Sequence, residues 1–147
     1  MRKLVLLALP IGALVIGITA IGAGAHRGGT LHQVTVPHSD RFTPFALDVH
    51  VGDSVKWVNT DADNHTVVAD SAFDSAGHHR VNRLLGANGG NVTLRFNRPG
   101  TFVYYCRFHA HLNRFNQPVA PGPDGGVQDA HGNFGTPMSG VVTVLPN

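Results

Sequence analysis

Thr101-Phe102-Val103-Tyr104-Tyr105-Cys106-Arg107-Phe108-His109 is a run of β-branched and aromatic residues that ends at the one cysteine of the chain and meets a histidine three positions later. Pro99-Gly100 punctuates its start as a turn. The composition of the run is that of a half-buried strand rather than of a helix. Working outward, the same signals recur at short spacing. Leu31–Val36 reads as a strand. Phe45–Val51 alternates, with Phe45, Leu47, Val49 and Val51 on one face and Ala46, Asp48 and His50 on the other. Gly52-Asp53 turns into Val55–Val58, which carries Trp57, and Asn59–Asn64 is a polar turn before the strand His65–Ala69. Residues 70–90 read as irregular. Val92–Phe96 alternates again, and Val141–Leu145 closes the chain. About seven to eight short strands without an amphipathic helix predict an all-β, Greek-key sandwich or barrel. Trp57 and the Phe and Tyr positions of the strands are assigned to its core.

Composition agrees. The chain has 147 residues, a size for one domain. Charged residues make up 14%, well under the usual ~25%, which excludes a coiled coil or a charged disordered tail. No Glu is present, which disfavours helix bundles. One Cys excludes an internal disulfide framework and any zinc site needing two thiolates. No basic patch with interleaved aromatics occurs, so nucleic acid is not an expected partner.

The first 25 residues read as an address. Arg2 and Lys3 precede an apolar stretch from Leu4 to Ile21, and Ala23-Gly24-Ala25 has the small-residue pattern of a cleavage site. Residues 1–25 are therefore expected to be a signal peptide or an N-terminal membrane anchor, with attachment through residues 4–22. The domain proper is 26–147, placed on the exported side: periplasmic, extracellular or membrane-anchored. It is formally neutral, with nine basic residues against nine Asp once Arg2 and Lys3 are removed. A lone thiol in an exported protein invites oxidation unless it is used, and metal ligation is such a use.

Three elements are expected to converge at one end of the sandwich: His65 at the start of a strand, Cys106 and His109 after another, and Met138 before the last. Two imidazoles, a thiolate and a weak thioether form a donor set that suits copper cycling between its two oxidation states.

At these residues the sequence resembles the cupredoxins, the type 1 (blue) copper proteins of the plastocyanin/azurin superfamily. The resemblance spans about residues 42–109 and 137–145. It is carried by Phe42-Thr43-Pro44, Val51 through Asn59, His65-Thr66-Val67, Pro99 through Cys106 and Pro137-Met138-Ser139-Gly140-Val141. It implies one type 1 copper ion held by His65, Cys106, His109 and Met138, hydrogen bonds from Asn64 and Thr66 around the site, and transfer of single electrons between extracytoplasmic or membrane-bound redox proteins by a monomer. In place of a few residues, 28 lie between His109 and Met138, an insertion at about 112–137. His111 is therefore an alternative imidazole ligand, and Gln117, Gln128 and His131 are alternative axial groups. Other functions remain: a copper module for storage, delivery or sensing, a copper oxidoreductase subunit, or a structural sandwich. His78-His79 reads as a solvated loop. His26, His32, His38, His50 and His131 read as surface, with His26 a copper chelator should cleavage free its amine.

Overall fold

In a computed structural model, residues 28–70, 74–78, 80–122, 125–128 and 131–147 are described. The 1–25 segment, His26 and His79 lie outside them. Among the described residues all ten elements are strands: β1 (Leu31–Val36), β2 (Ala46–His50), β3 (Ser54–Asn59), β4 (His65–Ala69), β5 (Val81–Leu85), β6 (Asn91–Arg95), β7 (Gly100–Tyr105), β8 (His111–Leu112), β9 (Pro118–Val119) and β10 (Ser139–Leu145). Eight of them build two mixed sheets, ordered β1-β3-β6 and β2-β10-β7-β4-β5. β1 runs parallel to β3 and β2 parallel to β10, while the remaining pairs are antiparallel. Among the described residues, no helix is long and apolar enough to cross a membrane.

Alternation decides which faces meet. In β3, Val55, Trp57 and Asn59 point inward, and in β7 Phe102 and Tyr104 do. Gly140, Val142 and Val144 do the same in β10. This period of two gives each sheet one apolar face, and the two faces close on each other. Trp57, Phe96, Phe102 and Tyr104 are fully buried. Tyr104 takes Phe42 edge-on at 4.8 Å and Trp57 edge-on at 5.3 Å between ring centroids, a geometry that aromatic quadrupoles favour. Asp53 pins the β2–β3 turn to the first strand. Its carboxylate accepts from Thr30 N at 2.6 Å, His50 N at 2.9 Å and His32 Nε2 at 3.0 Å.

Four readings of the sequence need correction. Phe45 is not on the core face; it is 60% exposed, and the inward positions of that segment are Val49 with Leu47 and Val51 packed partly beneath it. Residues 70–90 contain a strand, β5, at the edge of the larger sheet. Its middle, Asn82-Arg83-Leu84, faces solvent, so its apolar residues do not alternate, and a charged side chain there discourages further pairing. The insertion is not strandless, because His111↔Val119 and Leu112↔Pro118 pair as a small ribbon and Val127 bridges Thr136. His78 is a loop residue but half-buried rather than fully solvated. Its ring stands edge-on to Phe96 at 4.7 Å, and its Nε2 meets the carbonyl of Arg95 at 2.8 Å.

Gly140 is the tightest of these packing points. A Cβ there would sit 2.5 Å from the Cζ and Oη of Tyr104, whose ring is wedged among Phe42, Trp57 and Phe102. Gly140→Ala is expected to lower stability by about 1–3 kcal/mol through overpacking, read as a fall in the denaturant midpoint. Combination with Tyr104→Leu should recover part of the loss, and an unchanged midpoint in the single variant would contradict this packing.

Candidate metal centre

β4 and β7 are neighbours in the larger sheet, and Val68 pairs with Tyr105. Continued by one residue, this register sets Val67 opposite Cys106, and His65, two residues from Val67 on the same face of β4, lies diagonally across from the cysteine. His65 and Cys106 thus come together across 41 positions, with Nδ1 of His65 3.8 Å from Sγ of Cys106. Beyond Cys106 the chain folds into a tight turn closed by His109 N donating to the carbonyl of Cys106 at 3.1 Å. A Cys-x-x-His spacing is what such a four-residue turn requires, since its first and last residues return to the same place. The ring centroids of His65 and His109 are 5.3 Å apart. One nitrogen from each ring and the sulfur all lie within 4.8 Å of one another.

Met138 arrives at the same point by backbone pairing. Cys106 N donates to the carbonyl of Met138 at 2.9 Å, and Met138 N donates to the carbonyl of His109 at 3.3 Å. These bonds continue the β7–β10 ladder, in which Ser139 faces Tyr105 and Gly140 faces Tyr104. The long insertion therefore leaves and returns through one gate, and the methionine side chain is buried. The alternatives sit elsewhere. His111 is exposed and belongs to β8. Gln117, Gln128 and His131 are exposed in the insertion, and the side-chain oxygen of Gln117 is engaged by Asn113 at 3.1 Å.

The electrostatics favour a cation among these groups. Burial works against the Cys106 thiolate, yet His109 and His65 beside the sulfur outweigh it and bring the thiol down to about 5. The thiolate is the metal-binding form. His109 is raised chiefly by the Cys106 sulfur. For His65, burial lowers the value, but Cys106 and Asp61 together lift it above the ordinary one. Nδ1 of His109 is buried and has no hydrogen-bond partner among the described residues. An unpaired nitrogen of that kind costs free energy unless something fills its lone pair. One soft sulfur and two imidazole nitrogens in a small triangle, with a buried thioether residue alongside, fit a copper ion in a trigonal site with a weak axial ligand.

The hydrogen bonds anticipated from Asn64 and Thr66 divide. Thr66 Oγ1 is 3.7 Å from the Cys106 sulfur, and it accepts from Arg107 N at 3.0 Å. Asn64 instead accepts from Ala87 N at 2.9 Å, which ties the β3–β4 turn to the turn after β5. The sequence reading passed over Asp61 and Asp40. Both approach the outer nitrogen of His65, Asp61 at 3.1 Å and Asp40 at 3.4 Å. The four-residue offset from Asp61 to His65 was visible, but inside a turn it carries no periodicity that would single it out.

A family model described as copper-binding proteins of the plastocyanin/azurin family matches residues 33–114, 82 of the 147 positions. The match includes His65, Cys106 and His109 and stops before Met138. Among solved structures, a purple cupredoxin from Nitrosopumilus maritimus is 20% identical with a TM-score of 0.50, covering 78% of this chain and 99% of its own. An oxidized amicyanin mutant is 21% identical with a TM-score of 0.52, covering 84% of this chain and 88% of that one. An amicyanin mutant in the reduced state is 23% identical with a TM-score of 0.51, covering 80% and 83%. At these identities the likeness establishes the fold.

Thr66 is the hinge between the two halves of the site, since its hydroxyl is the buried partner of the Arg107 amide. Thr66→Val preserves shape but leaves that amide unsatisfied. A loss of about 1–3 kcal/mol is expected in urea unfolding of the metal-free protein, and an unchanged midpoint would contradict this role.

Proposed function

The chain belongs to the plastocyanin/azurin family of copper-binding proteins, and we propose that it acts outside the cytoplasm as a carrier of single electrons through one type 1 copper ion held by His65, Cys106, His109 and Met138. The observation that carries this reading is the triangle of His65 Nδ1, Cys106 Sγ and a His109 nitrogen at the ends of β4 and β7. Copper supplies the one-electron couple. The protein's own residues supply everything that makes exchange fast. Two imidazoles and the sulfur are fixed by neighbouring strands and a closed turn, so little has to move when the charge changes.

The surroundings suit traffic with a partner protein. His65 and Cys106 are fully buried, while the ring of His109 is only partly covered. Phe108, its neighbour in sequence, is 49% exposed. Electrons would leave by the His109 edge toward membrane-bound or extracytoplasmic redox proteins. The export half of the proposal rests on Arg2, Lys3, the apolar run 4–21 and Ala23-Gly24-Ala25. A carrier is favoured over a copper enzyme because Tyr105 and Arg107 flank Cys106, where an enzyme passing electrons to a second copper site would need ligands close by. The domain 26–147 is taken to work as a monomer.

Loading with Cu(II) is expected to produce one tightly bound ion and an intense visible thiolate-to-copper band. Cys106→Ala should abolish the band, and voltammetry of the wild type should show a reversible one-electron wave. A colourless Cu(II) adduct of the wild type would overturn the proposal, and several labile Cu(I) ions would favour storage or delivery instead.

A further inference from the structure

His65 presents its two nitrogens in opposite directions. Nδ1 lies on the sulfur side. Nε2 points at two carboxylates, Asp61 Oδ2 at 3.1 Å and Asp40 Oδ1 at 3.4 Å. An ionised carboxylate can only accept a hydrogen bond. Both oxygens of Asp61 are met by nitrogens, Oδ1 by Ala62 N at 2.6 Å and His38 Nδ1 at 3.0 Å and Oδ2 by His65 Nε2, so the group sits there as an acceptor. The proton of neutral His65 therefore sits on Nε2, which leaves the Nδ1 lone pair free on the side of Cys106.

We propose that Asp61 is a positioning residue of the copper site: it fixes the tautomer and ring plane of His65, and its charge against the outer edge of that ring favours Cu(II) over Cu(I). The inference rests on the copper reading above and concerns what tunes that site.

Asp61 is built to stay where it is. Its Oδ1 accepts from Ala62 N at 2.6 Å and meets His38 Nδ1 at 3.0 Å. Its own amide donates to Asn59 Oδ1 at 3.0 Å, and its carbonyl accepts from Asn88 N at 2.8 Å. Asn59 is completely buried, and its Nδ2 donates to the carbonyls of Asp63, Leu85 and Gly86 at 2.7, 3.1 and 3.1 Å. The turn between β3 and β4 is thus a cage around one carboxylate. Asp40, Asp61 and His65 lie close enough together to suggest a second cation. The Nε2 proton already points between those oxygens, and the other Asp61 oxygen is taken, so the group works as a strap on His65. Asp40 is 37% exposed against 1% for Asp61, so solvent screens its charge more.

Partners on the outer nitrogen of a ligating histidine are generally worth about 10–100-fold in metal affinity. Asp61→Asn in the copper-loaded full chain should weaken Cu(II) binding at least about tenfold while changing Cu(I) binding less. Each tenfold difference between the two raises the reduction potential by about 59 mV for one electron. Asp40→Asn should raise it by a smaller amount. A merely structural role would not move the potential in this direction. An Asp61→Asn protein that keeps the thiolate-to-copper band together with wild-type Cu(II) affinity and potential would overturn the inference, as would a larger rise in Asp40→Asn. Should Asp61→Asn fail to fold, nitrogen-15 NMR of histidine-labelled, Cu(I)-loaded wild type decides. A protonated, slowly exchanging Nε2 on His65 is expected, and an unprotonated one would overturn the assignment. Absence of the band in the wild type would instead sink the copper reading itself.

Discussion

The approach of the Cys106 sulfur to the Nδ1 of His65, 3.8 Å across 41 residues, is the constraint on which the rest of the molecule depends. It exists because β4 and β7 share a sheet in a register that pairs Val68 with Tyr105. That register is held in turn by the inward residues of β7. Phe102 and Tyr104 are locked against Trp57 from the opposite sheet, so a slip by one residue would turn both rings out to solvent. The aromatic core and the metal centre are therefore one design. The large rings fix the strand, and the strand delivers the sulfur.

The proposed electron-carrying role gives a chemical reason for the bracing around this contact. A site that must accept two charge states of one ion benefits from donors that cannot follow the change. Here every donor is held from behind. Thr66 bridges the sulfur and the Arg107 amide, the Cys106–His109 turn is closed by its own backbone bond, and Met138 is tied to both Cys106 and His109. His65 is backed by a carboxylate caged through Asn59. The stretch of 28 residues between His109 and Met138 leaves this unaltered, because both of its ends are fastened at the end of the β7–β10 ladder. Loop length by itself costs little when the ends are fixed.

Much of this was legible in the sequence. Alternation marked β2 and β6, β-branched and aromatic runs between turns marked β3, β7 and β10, and Leu31–Val36 matches β1 residue for residue. The metal group was legible because Cys-x-x-His at the end of an aromatic strand joins local spacing to unusual residue types. What stayed hidden shares a physical cause. β5 is an edge strand with a polar middle, so its pairing leaves no pattern in its side chains. Phe45 begins an alternating segment, yet it precedes β2, and although its carbonyl accepts from Val141 N its side chain turns out to solvent. Asp61 and Asp40 meet His65, and His38 meets Asp61, because the β3–β4 turn and the segment after β1 close over the start of β4, and no periodic rule describes such loops.

X-ray absorption at the copper edge of the loaded protein tests the central claim most directly, because it counts the atoms bound to the ion. The account predicts one short bond to sulfur together with two imidazole nitrogens, and loss of the sulfur shell on Cys106→Ser. A first coordination shell made of nitrogen and oxygen alone, in the unaltered protein, would contradict it.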